Sequence, residues 1–242
     1  MKTNNRRLLL ISNGSELIGE NPTDFFHDSL KDFLGASVRR VLFVPFAAVM
    51  RTEDEYRERV RQRFGPHGYE VESLHDAGDA RAAVGRADAI AVGGGNTFKL
   101  LRSVYESGII ELVRERVGEG MPYVGWSAGS NLACPTIRTT NDMPIVEPPS
   151  FEAFDLVPFQ INPHYTDYHP PGHMGETRDE RLGEFVHVNP GVRVVGLREG
   201  TMLRVEGHDI RLLGGKPARY FVKGEAPRDI APEESFNFLL GE

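Results

Sequence analysis

The sequence predicts an α/β fold: a mostly parallel sheet flanked by helices on both faces, finished by a C-terminal antiparallel extension. Three observations point there. Up to Pro135, short apolar runs alternate with longer amphipathic segments, the pattern of strand–helix units. Gly, Pro, Asn and capping residues fall at the ends of those segments. After about Val192, closely spaced apolar runs are separated by Gly-containing turns, which reads as a hairpin-like finish.

Taken in order, residues 8–11, 41–46, 89–92 and 123–126 are short, rich in Val, Ile, Leu or aromatics, and ended by Gly, Pro or Asn; they read as strands buried on both faces. Pro22 stands at a first helical position of a segment that stops at Gly35. Thr52 with Glu55 three residues later makes a capping box that opens a helix over 52–64. A helix starts near Thr97, and another runs over 107–117 and is closed by Gly118. Residues 141–163 are rich in Pro without helical periodicity, giving an extended connection with one short strand at 156–161. A helix follows at 176–188, then strands at 192–197, 201–205, 209–213 and 219–222. No repeat, low-complexity tract or linker interrupts the chain, so a single domain over 1–242 is expected.

Bulk properties narrow the function. A formal net charge of -7 leaves no basic excess for phosphates and argues against a nucleic-acid partner. The one cysteine, Cys134, excludes an intramolecular disulfide. The apolar stretch at 8–11 is too short for a signal-peptide core, and nothing approaches the roughly 20 apolar residues of a bilayer span. The expectation is a cytoplasmic protein without a membrane partner.

The chemistry begins at Gly125-Trp126-Ser127-Ala128-Gly129. A serine between glycines two positions away on each side follows an apolar strand and precedes the small, helix-compatible segment 128–133. In that setting a serine is forced onto a tight turn with its hydroxyl at the carboxyl edge of the sheet. A plain helix cap would explain the serine alone. Gly93-Gly94-Gly95-Asn96, after another strand, adds backbone N–H groups. It lacks the spacing of a dinucleotide fingerprint and the Lys-Ser/Thr pair of a P-loop. The better reading is half of an oxyanion hole, made by Gly94 or Gly95 together with Ala128 at the start of the next helix.

A serine needs a base. His164, in Gln160-Ile161-Asn162-Pro163-His164, lies in a proline-fixed stretch after a strand. The other histidines sit beside polar neighbours, apart from His169 and His173, which with His164 and Asp167 raise a metal site. Their spacing fits neither a helical face nor a Cys-containing set, so no metal or other cofactor is expected. For the acid that orients the base, Asp142 and Glu199 both qualify, and spacing alone does not choose. Cys134, two helical turns beyond Ser127, reads as a packed core thiol.

The block from Gly125 through Asn141-Asp142-Met143-Pro144 to Val146 closely resembles the signature of the peptidase E, or α-aspartyl dipeptidase, family. So do 92–98, 160–164 and Gly175-Glu176-Thr177-Arg178, and the likeness runs over about 8–222. The resemblance implies a metal-independent serine peptidase acting on small peptides with an N-terminal aspartate, on a fold like that of class I glutamine amidotransferases. It implies Ser127 as nucleophile, His164 as base, Glu199 as third member with Asp142 also proposed, Arg178 as the partner of the substrate's aspartyl carboxylate, and Asn96 as a substrate contact. Without it, Arg178 reads as a solvated arginine paired with Glu176, Asp179 or Glu180. Ser130 stands where the family usually has alanine, a change expected to be tolerated. Two alternatives stay open: a cyanophycinase-like hydrolase of an aspartyl-arginine polymer, and a non-catalytic binder of small acidic ligands. Monomer and homodimer both fit.

Overall fold

The four apolar runs form the parallel centre of a sheet because helices cover them on both sides. The computed structural model describes residues 5–19, 23–172 and 174–241; Pro22 and His173 lie outside them. In chain order the elements are β1 (Arg7–Ile11), α1 (Ser15–Ile18), α2 (Asp24–Leu34), β2 (Arg40–Val44), α3 (Glu53–Phe64), β3 (Glu70–Ser73), α4 (Ala80–Arg86) and β4 (Ala89–Val92). Then come α5 (Thr97–Ser107), α6 (Ile110–Gly118), β5 (Tyr123–Trp126), α7 (Ala128–Leu132), β6 (Gln160–Tyr165) and α8 (Arg178–Val188). The chain finishes with β7 (Val194–Arg198), β8 (Met202–Glu206), β9 (Asp209–Leu213), β10 (Ala218–Phe221) and β11 (Arg228–Ile230).

Among the described residues, seven strands form one sheet in the order β3-β2-β4-β5-β1-β8-β9. The first five are parallel, and β8 and β9 add to β1 antiparallel. Strand periodicity divides their side chains between two cores. Leu8, Leu10, Leu42, Val44, Ile90 and Val92 face α4 to α7, while Leu9, Ile11, Val41, Phe43, Ala89 and Ala91 face α1 to α3. Both sets are fully or almost fully buried, and each such Leu, Val or Ile contributes roughly 1.5–3 kcal/mol of transfer free energy. No helix among the described residues is long and apolar enough to cross a membrane.

The antiparallel finish divides where the sequence suggests one extension. Only β8 and β9 extend the large sheet; β11, β10, β7 and β6 form a second sheet, with β6 and β7 parallel. It docks at the carboxyl end of β1: the Ser12 hydroxyl donates to Leu197 O at 2.8 Å and accepts from His164 N at 3.0 Å.

Other boundaries move for local reasons. The strand expected at 156–161 lies at Gln160–Tyr165 instead: Phe154, Leu156 and Asp155 bond back to the segment after α7, and Pro163 is accommodated where the β6–β7 register shifts. Ser107 belongs to α5, because Gly108, at φ 64°, ends that helix and α6 starts afresh at Ile110. The capping box at Thr52 forms as read. A second one, Thr177 with Glu180, opens α8 two residues later than expected.

Candidate active site

Ser127 is the hinge between β5 and α7. Its φ is 53°, a region non-glycine residues seldom adopt, and its N–H donates to Ile11 O at 3.0 Å. The turn is tight enough that a Cβ on Gly129 would lie 2.2 Å from Val92 O. Ser130, buried beneath it, donates to Ile11 O at 2.8 Å and Gly125 O at 3.0 Å. The Ser130 hydroxyl therefore finds acceptors. Cys134 is buried, accepts from Ile161 N at 3.2 Å, and burial pushes its thiol up to about 12, which suits a packed core thiol.

His164 approaches from β6. Its φ of 54° falls at the register shift between Asn162 and Tyr165, a bulge that re-aims the side chain. Nε2 is 2.8 Å from Ser127 Oγ, and Nδ1 is 2.8 Å from Glu199 Oε1. An imidazole protonated on Nδ1 donates there to Glu199 and accepts the serine proton at Nε2. Glu199 follows β7, whose neighbour in the second sheet is β6, so base and acid ride on adjacent strands.

Asp142 lies elsewhere. Its Oδ2 accepts from the N–H of Thr97 at 2.7 Å and from the Thr97 hydroxyl at 2.5 Å, with the Thr140 hydroxyl 3.2 Å away. A carboxylate there complements the free N–H groups at the start of α5, whereas Glu199 occupies the histidine's Nδ1. Asn96 caps the same helix, accepting from Lys99 N at 3.0 Å and donating to Met143 O at 2.8 Å.

The glycine run lies against the elbow. A Cβ on Gly94 would sit 2.9 Å from Ser127 Cβ. Gly93 N–H donates to Val44 O and Asn96 N–H to Ala47 O; among the described residues the N–H groups of Gly94 and Gly95 between them have no acceptor. Ala128, in the first turn of α7, has none within its helix. Tyr56 holds the loop from below, donating to Gly94 O at 3.0 Å and accepting from Trp126 Nε1 at 2.8 Å. Ser127, His164, Gly94, Gly95 and Asn96 all line one cleft of about 710 Å³.

Arg178 is the first residue of α8, where a cation opposes the helix dipole. The carboxylates near it in sequence are otherwise engaged. Glu176 pairs with Arg181 at 3.5 Å, Asp179 with Arg219 at 2.7 Å, and Glu180 closes the Thr177 box. Among the described residues Arg178 has no ion pair. Its guanidinium donates to Asn141 Oδ1, and Asn141 Nδ2 donates to Pro163 O at 2.7 Å, next to His164. Burial, then neighbouring Arg181, pulls its pKa below the ordinary arginine value. Of the residues that raised a metal site, His164 is held as above and Asp167 pairs with Arg198 at 2.8 Å, while His173 lies outside the described residues.

Ser12 and Asn141 are supports that motif reading misses. Asn141 lay within the recognisable block; the signal for Ser12 is its place at the carboxyl end of β1 beside β5, where open α/β sheets build their sites.

Residues 8–213 match the family model described as Peptidase family S51. The chain is 48% identical to Peptidase E of Nostoc sp. strain PCC 7120 over 235 residues, 97% of each chain. It is 49% identical to the "Probable alpha-aspartyl dipeptidase" of Drosophila melanogaster over 238 residues, covering 97% of this chain and 98% of that one. A crystal structure of a peptidase from an acI-B1 Actinobacterium has the same fold, with a TM-score of 0.67 at 18% identity over 98% of both chains.

Proposed function

The chain belongs to peptidase family S51, and from that premise we propose that it is a serine dipeptidase that hydrolyses Asp-X dipeptides through an acyl-enzyme on Ser127. The observation that carries the reading is the continuous line from Glu199 Oε1 through the two nitrogens of His164 to Ser127 Oγ, at 2.8 Å each.

His164 takes the Ser127 proton as Oγ attacks the carbonyl carbon after the N-terminal aspartate. The N–H groups of Ala128 and of Gly94 or Gly95 receive the oxyanion. The tetrahedral species collapses with cleavage of the C–N bond, and the imidazolium protonates the departing amine. Water, deprotonated by His164, then attacks the ester and returns Ser127 to its free state. Glu199 fixes the histidine tautomer, while Asp142 and Asn96 act on the frame at the start of α5. Arg178 takes the aspartyl side chain bidentately, which is consistent with its having no carboxylate partner among the described residues. The name of the Drosophila relative supports the same substrate. A cytoplasmic setting belongs to this reading.

The test is aspartate release from Asp-Leu against Ala-Leu and Glu-Leu. A charge-assisted pair at the half-buried Arg178 predicts that kcat/KM for Asp-Leu exceeds that for Ala-Leu by roughly 10- to 100-fold, and that Arg178→Ala narrows the gap. Equal rates on all three substrates remove Arg178 from recognition.

A further inference from the structure

We propose that Arg51 and Arg59 bind the free carboxylate of the substrate's second residue, so that the cleft selects dipeptides over C-terminally blocked or extended peptides. The inference rests on the dipeptidase reading and names the other half of its substrate.

The cleft that holds Ser127 and His164 runs between the loop after β1, with Asn13 and Gly14, and the segment that leads into α3. Apart from His164, the charged side chains among its described lining residues are Arg51 and Arg59. Acidic residues outnumber basic ones in this chain, 35 to 28, yet none of the described residues that line this cleft is acidic. A cleft lined by one sign of charge raises the local concentration of the opposite ion.

Neither arginine is taken up internally: among the described residues no ion pair involves Arg51 or Arg59, although Arg57 between them pairs with both Asp54 and Asp76. Two acids of α3 beside them are engaged, Glu55 in the Thr52 capping box and Glu58 accepting from Gln62 at 3.2 Å. Both acids share the adjoining hollow with the arginines. Arg51 stacks over Tyr56, its Cζ 5.2 Å from the ring centroid. The same Tyr56 hydroxyl bonds to Gly94 O, which places that guanidinium close to the oxyanion loop.

An Asp-X dipeptide carries two carboxylates, and the structure offers two separate arginine sites. Arg178 reaches the Ser–His pair through Asn141 and Pro163 and is not among the residues that line the cleft. With the aspartyl side chain on Arg178, the leaving residue extends into the cleft, and its carboxylate, two bonds beyond the scissile nitrogen, meets Arg51 and Arg59. A carboxamide or a further residue there cancels the charge.

The experiment compares kcat/KM for Asp-Leu and Asp-Leu-amide in the wild type, in Arg51→Ala/Arg59→Ala and in Arg51→Lys/Arg59→Lys. The arginines are exposed and solvent screens them, so the wild type is expected to prefer the free acid by roughly tenfold. The alanine pair should bring the acid-to-amide ratio close to one, and the lysine pair should keep most of it. Each ratio is internal to one protein, so altered folding or concentration does not imitate the effect. Equal cleavage of acid and amide by the wild type, or a ratio untouched in the alanine pair, overturns the inference and leaves the Asp-X reading standing. Cleavage of neither compound by the wild type overturns that reading and this inference with it.

Discussion

Ser127 and His164 both hold a positive φ, and at each the surrounding packing enforces a conformation that a free chain avoids. The elbow glycines make this legible for Ser127. Nothing in Asn162-Pro163-His164 beyond the proline announces it for the histidine. The choice between Glu199 and Asp142 was open in the sequence because triad partners meet only in space, and the carboxylates differ in what they hold: Glu199 the imidazole, Asp142 the amide and hydroxyl of Thr97. In the proposed relay, Glu199→Gln keeps the shape but removes the charge beside His164 Nδ1, so kcat should fall by about 10²–10⁴-fold. The Glu199 side chain is 55% exposed, which favours the lower half of that range. Steady-state rates on Asp-Leu check it, and an unchanged kcat would remove Glu199 from the relay.

At the scale of elements, legibility followed burial. β1, β2, β4 and β5 are buried on both faces and read as apolar runs. β3 escaped notice because it is an edge strand of sequence Glu-Val-Glu-Ser with only one face buried. α4 is short, and its cap, the Asp79 side chain accepting from Ala82 N, precedes few apolar residues. The start of α5 depends on a side chain 45 residues away, Asp142 onto Thr97, a tertiary cap that local patterns do not encode. Asp142→Asn should therefore act chiefly on stability. The loss of a charged cap costs about 0.5–2 kcal/mol, and at this chain length 1 kcal/mol lowers Tm by about 2–4 °C. Calorimetry beside rate measurement separates the roles: a kcat loss as deep as that of Glu199→Gln without a Tm change would restore Asp142 as a relay acid.

Across the whole molecule, the site lies where two sheets meet, Ser127 from the large one and His164 with Glu199 from the small one. The sequence suggested a single sheet with an extension, because strand pairing partners are not written in the strands themselves. The outer side of the second sheet is tied by ion pairs: Arg198 joins Asp167 and Asp229, and Arg219 joins Asp179 and Asp229. Partial burial alone would raise the Asp167 carboxyl, but donors on Arg198 and Tyr165 outweigh it and hold the pKa below its ordinary value of 3.8. A depressed carboxylate contributes stability above its unfolded pKa and loses it as pH falls through the folded one. Thermal stability should thus hold from neutral pH down to about pH 5 and fall below about pH 4. In Asp167→Asn that acid slope should be shallower, and an identical slope in both proteins would show the pair to be idle.

The claim on which all three scales converge is that one hydroxyl, Ser127 Oγ, becomes the nucleophile. The most direct measurement is kcat/KM for Asp-Leu in Ser127→Ala, with circular dichroism to establish that the variant is folded. Removing a triad serine predicts a loss of roughly 10⁴-fold or more. A folded variant that retains activity within a few-fold of the wild type would contradict the account.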